Sequence, residues 1–214
     1  MNKLVIFDFD GVVVNSLALQ EEAFNNSYRE IVGGTPPEFR EFLKHSGEAI
    51  DKIMSKMNLP KEMISPYLDY LKNNWSCVKL YDEVISIIKK LNTNEVKCAL
   101  FTGKDKDGTY DLLGKLKIDD LFDIIITSDD VVDAKPSPEG IIKILNKLSI
   151  NREKAIMVGD SSNDIMSANR AEIRSVLVNW ENENNLHDEC DIAEFKAKSP
   201  ELLYQIIKEN LKLA

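Results

Sequence analysis

Short apolar runs alternate along the chain with segments whose apolar positions recur every three or four residues, the pattern of buried parallel strands separated by amphipathic helices. Leu4-Val5-Ile6-Phe7 and residues 96–101, 123–126, 155–158 and 175–178 read as strands. Helical spacing fills the intervals: Val84, Ile85, Ile88 and Leu91, then Leu112, Leu113 and Leu116, then a stretch that follows Pro138 and runs to about Leu148, and residues 202–211 at the end. This alternation predicts an α/β fold, a Rossmann-like parallel sheet of about five strands flanked by helices. One stretch departs from it. From Leu17 to Ser76 the spacing is helical throughout, broken at Val32-Gly33-Gly34-Thr35-Pro36-Pro37, at Gly47 and at Asn58-Leu59-Pro60. A parallel crossover needs only about a dozen residues. The surplus predicts an inserted α-helical cap domain over residues 16–78, with the α/β core made of 1–15 and 79–214.

Composition narrows the function classes. The 214 residues suffice for a large core, and 43% hydrophobic with 29% charged residues is ordinary for a globular protein. A net charge of −9 offers no electrostatic attraction to nucleic acid or to an anionic membrane surface, so neither is an expected partner. Cys77, Cys98 and Cys190 are too few and too scattered for a disulfide framework or a thiolate zinc site, and Cys98 reads as a small core residue. The N-terminal apolar run stops at Asp8, so no signal peptide is expected, and no segment approaches a membrane span. The expected setting is cytoplasmic, as a monomer or homodimer. The polar, acidic stretch 179–189 reads as a solvated loop.

Chemistry gathers where the strands end. The first strand stops in Asp8-Phe9-Asp10-Gly11. If it stays extended, both carboxylates face one side, and Gly11 permits a sharp exit. Thr102-Gly103 follows the second strand, Lys135 the third, and Gly159-Asp160-Ser161-Ser162-Asn163-Asp164 the fourth. Taken singly, Thr102 could be a helix cap, Lys135 an exposed loop residue and Asp160 another cap. Together they fall at one end of one sheet, where open α/β folds bind ligands. Four carboxylates and one lysine cannot all stay ionised without a cation, and Mg²⁺ with a phosphate-bearing substrate resolves that.

These segments, in this order, resemble the four motifs of the haloacid dehalogenase superfamily, and the chain is most similar to its phosphoglycolate-phosphatase-like branch. A similarity to phosphatases associated with aminohydroxybenzoate biosynthesis is also visible. The resemblance implies a Mg²⁺-dependent phosphatase acting on a small-molecule phosphate ester, of phosphoglycolate or sugar-phosphate type, through an aspartyl-phosphate. It implies Asp8 as nucleophile and Asp10 as general acid and base. Thr102, Gly103 and Lys135 would bind the phosphoryl group, and Asp8, Asp160 and the backbone carbonyl of Asp10 the metal. Asp164 would orient the site from behind. In the cap, Arg40, Lys44, His45, Glu48 and Lys52 flank the Gly47 break, and His45 is a candidate substrate contact. The chain departs from the family pattern at Asn15, at Asp82-Glu83 and at Glu172, where Asp, Pro-Gly and Gly are usual. Two other readings stay open. A sugar phosphomutase of the same fold is disfavoured by Gly159-Asp160 and by the lack of arginine between Arg40 and Arg152. A non-catalytic phospho-accepting module would lack the inserted cap.

Overall fold

In a computed structural model of the chain, residues 3–180 and 192–213 are described. The acidic stretch lies outside them from residue 181 onward, as does Cys190. The central layer is a sheet of six strands: β1 (Lys3–Phe7), β4 (Val96–Phe101), β5 (Ile124–Ile126), β6 (Ala155–Gly159), β7 (Arg174–Val178) and β8 (Phe195–Ala197). Their spatial order is β5-β4-β1-β6-β7-β8, and every neighbouring pair is parallel. β1 is central, with Val5 beside Cys98 on one neighbour and Ile156 on the other.

Burial on both faces explains the unbroken apolar runs. Val5, Phe7, Cys98, Leu100 and Val158 point to one face, where they meet α5 (Asp82–Thr93), α6 (Lys106–Leu116) and α9 (Pro200–Asn210). Leu4, Ile6, Ala99, Phe101 and Met157 point to the other, against α7 (Glu139–Leu148) and α8 (Ser162–Arg170). From β1 the chain builds outward through β4 and β5, then crosses to β6 on the opposite side. That reversal opens a crevice at the carboxyl ends of β1, β4 and β6.

The sixth strand exceeds the five expected. Phe195-Lys196-Ala197 is three residues long with an exposed lysine at its centre, and it pairs with β7 only at the sheet edge. So short an edge strand carries no apolar run. A two-residue ribbon, β2 (Val14–Asn15) with β3 (Lys79–Leu80), is likewise too brief to mark the sequence.

Between β2 and β3 run α1 (Leu17–Ile31), α2 (Phe39–Leu43), α3 (Ile50–Lys56) and α4 (Ile64–Asn73). Phe24, Phe39, Phe42 and Tyr67 form their aromatic centre, with ring centroids 5.2–6.1 Å apart for the neighbouring pairs. Glu172 adopts φ +57°, the left-handed region that glycine occupies without strain, which accounts for the glycine usual in the resembled family. No helix among the described residues is long and apolar enough to cross a membrane.

Candidate active site

Asp8 extends the edge of β1, its N–H donating to Val158 O at 2.9 Å. The chain then turns tightly, with the N–H groups of Val13 and Val14 donating to Phe9 O. Gly11 takes φ +76°, and a Cβ there would fall 2.0 Å from Asp160 Oδ2. Gly11 therefore allows both the turn and the approach of a second strand's carboxylate.

Asp8, Asp160 and Asp164 each offer an oxygen within 4.8 Å of the others. Lys135, 1% exposed, is bonded to Asp8 Oδ1 and Asp164 Oδ1, both at 2.6 Å, and its ammonium lies 4.8 Å from the centre of the Phe101 ring. Asp164 Oδ2 accepts from the N–H and hydroxyl of Ser161 at 3.1 and 2.6 Å, a capping box that opens α8. Both Asp164 oxygens are thus already occupied by protein donors. Asp160 makes no ion pair with any described residue.

One ammonium does not compensate three carboxylates. Burial, together with the charges of Asp164 and Asp10, pushes Asp8 up to about 7 despite the opposing pull of Lys135. Burial and the neighbouring Asp8 and Asp164 hold Asp160 well above the carboxylate range. Burial works against the Lys135 ammonium, yet Asp164 and Asp8 outweigh it and hold its pKa above the usual lysine value. An oxygen-lined, partly uncompensated cluster of this kind fits a hard divalent cation.

Asp10 stands apart from that cluster. Ser16 donates its hydroxyl to Asp10 Oδ1 at 2.5 Å, and the Lys104 ammonium lies 3.4 Å from Asp10 Oδ2. Gln20 donates to Ser16 in turn, at 3.0 Å. Thr102 is buried and lines the cleft, and its hydroxyl oxygen accepts the Lys104 N–H at 3.1 Å, which leaves the hydroxyl proton free to donate.

Over these groups lies the loop between α2 and α3, enclosing a cavity of about 410 Å³. Asn163 donates its amide to Ser46 O at 2.9 Å, tying the loop to α8. Glu48, 7% exposed, lines the cavity and pairs with Lys56 at 2.5 Å. His45 does not line it: its Nδ1 faces Glu48 at 3.5 Å. Arg40 and Lys44 pair with Glu38 and Glu41 on the surface, whereas Lys52 reaches the cavity.

Gly103 has a spatial reason of its own. A Cβ there would lie 2.3 Å from Gly47 O. Gly103→Ala forces the loop to withdraw by roughly 1 Å, and misplacement on that scale costs up to ~10²-fold in rate. A kcat/KM loss of that size with an unchanged melting temperature is the expected result; unchanged kinetics would show that turnover does not need this approach.

Three contacts were not legible in the sequence. Ser16 stands before a helical run with nothing to set it apart, Lys104 follows Thr102-Gly103 directly without distinction, and Asn163 is one polar residue among several.

The sequence matches the family described as haloacid dehalogenase-like hydrolase over residues 5–178. It is 30% identical over 179 residues to a putative pyrophosphatase PpaX from Caldanaerobacter subterraneus subsp. tengcongensis, covering 82% of this chain and 81% of that one. Pyrophosphatase PpaX from Bacillus cereus is 29% identical over 181 residues, 82% of each chain. Among solved structures, a predicted phosphoglycolate phosphatase from Haemophilus somnus superposes with a TM-score of 0.81 at 20% identity, covering 96% of this chain and 97% of that one. CbbY from Rhodobacter sphaeroides, solved with phosphate, gives 0.80 at 20% identity, with 94% and 95% covered.

Proposed function

We propose that this chain, which belongs to the haloacid dehalogenase-like hydrolase family, is a Mg²⁺-dependent phosphatase that hydrolyses a small phosphate ester through an aspartyl-phosphate. The observation that carries this reading is the convergence of Asp8, Lys135, Asp160 and Asp164 at the mouth of the crevice, with Asp10 alongside on separate partners.

Lys135 holds Asp8 Oδ1, which leaves Oδ2 as the attacking oxygen. Attack on phosphorus forms the aspartyl-phosphate and splits one difficult displacement into two easier ones. Asp10, steadied by Ser16, donates a proton to the departing oxygen and later takes one from the hydrolytic water. Thr102 donates its hydroxyl to a phosphoryl oxygen, and Lys135 balances charge on phosphate and nucleophile. Asp8, Asp160 and the Asp10 carbonyl would hold Mg²⁺, with Asp164 orienting Lys135 and the turn that carries Asp160. When bound, the ion supplies positive charge that keeps the clustered carboxylates ionised and draws charge from the phosphoryl oxygens. The helices α1–α4 act as the cap, and the tie from Asn163 to Ser46 closes its loop over the site.

Mg²⁺ should raise the melting temperature of the wild-type protein, and Asp160→Asn should abolish most of that rise. Wild-type activity should disappear in excess chelator and return with Mg²⁺. Turnover at the normal rate in fully chelated enzyme would overturn the metal assignment.

A further inference from the structure

The Lys104 ammonium is a buried charge that the mechanism above leaves unused. Its side chain is 8% exposed, and it lines the cavity beside Asp10. It forms an ion pair with Asp10 Oδ2 at 3.4 Å, and no described residue accepts a hydrogen bond from its three N–H groups. Buried ammonium groups normally have acceptors, since the cost of desolvation is otherwise uncompensated.

The placement is built rather than incidental. The Trp75 ring backs the ammonium at 5.2 Å, and the indole is itself fixed by donating to Asp111 at 3.0 Å. The Lys104 backbone is pinned at both ends, its N–H on the Thr102 hydroxyl and its carbonyl on the Ser128 N–H. A long, flexible side chain is therefore held at one address, its ammonium beside Asp10 where both residues line the cleft.

That address has a chemical meaning. Asp10 must meet the oxygen of the leaving group, so a cation beside Asp10 lies on the leaving-group side. Lys135 serves the opposite side, against Asp8. We infer that Lys104 is a specificity-determining residue that receives an anionic group carried by the leaving group itself, a carboxylate or a second phosphate close to the scissile oxygen. The inference rests on the phosphatase reading and narrows its substrate class to esters or anhydrides whose leaving group is charged. Acids elsewhere in the cleft, among them Asp51 and Asp129, make an uncompensated anion unwelcome, so this cation discriminates strongly.

The test compares wild type, Lys104→Met and Lys104→Gln on four substrates with Mg²⁺ present. Pyrophosphate and 2-phosphoglycolate carry a charged leaving group, while glycerol 3-phosphate and para-nitrophenyl phosphate provide the comparison. Methionine keeps the apolar stem against Trp75, and melting temperatures of both variants establish folding. The expected result is a fall in kcat/KM for at least one charged substrate that exceeds the fall for the comparison pair by about 10- to 100-fold, the scale of a lost charged hydrogen bond. A selective fall for pyrophosphate alone assigns the group as phosphate, and for phosphoglycolate alone as carboxylate. Equal losses on all four would mean that Lys104 acts only through Asp10, and no loss would mean that it binds nothing; either result overturns the inference. A wild-type enzyme that hydrolyses none of the four would overturn the phosphatase reading, and this inference with it.

Discussion

Asp8→Asn is expected to lower turnover by ~10⁴-fold or more, the scale on which losing a covalent nucleophile acts. The amide keeps the shape of the carboxylate but lacks its negative charge, so the proposed phosphoenzyme should not form. Folding should survive. The substitution weakens one of the two Lys135 ion pairs, yet it also removes a negative charge from beside Asp160 and Asp164. Far-ultraviolet circular dichroism and a melting curve would establish the fold, and rapid-quench capture of labelled phosphoenzyme would report the chemistry. Steady-state activity near wild type in a variant free of contaminating phosphatase would sink the mechanism.

Asp10→Asn is expected to separate the two half-reactions. In the proposed mechanism Asp10 gives a proton to the leaving oxygen in the first and removes one from water in the second. An alkoxide needs that proton, whereas a phenolate departs readily without it. Phosphoenzyme formation should therefore fall steeply for alkyl phosphates and much less for aryl phosphates, with the contrast approaching the ~10²–10⁴-fold typical of general acid catalysis. Hydrolysis of the phosphoenzyme should be slow for every substrate, because the base is gone. Ser16 and Lys104 hold the two carboxylate oxygens of Asp10, and asparagine can still accept from Ser16, so its position should be kept. Equal slowing of the first step for both substrate classes would reduce Asp10 to a structural part of the turn.

Much of this was written in local pattern. A strand covered on both faces must be apolar without interruption, and β1, β4 and β6 announce themselves for that reason. Each ends in a polar group because the strand stops where the cleft begins, so Asp8, Thr102 and Asp160 could be read from position alone. The helices α1–α4 between β2 and β3 were visible as a run of helical spacing too long for a crossover. The edge strand β8 was not, because three residues with an exposed centre have no period to detect.

The sequence by itself determined the α/β alternation, the helical insertion and the identity of the residues at the strand ends, since burial at regular intervals leaves its mark on neighbouring positions. Only the tertiary structure decided how those residues are partnered. Lys135 reaches Asp8 across 127 positions and Asp164 across 29, and this shared cation separates Asp164 from the bare Asp160. The approach of the Gly47 loop to Gly103, the turning of His45 toward Glu48 and the burial of Lys104 behind Trp75 are of the same kind. Each depends on desolvation and charge–charge distance, which are set by segments distant in the chain and have no period along it.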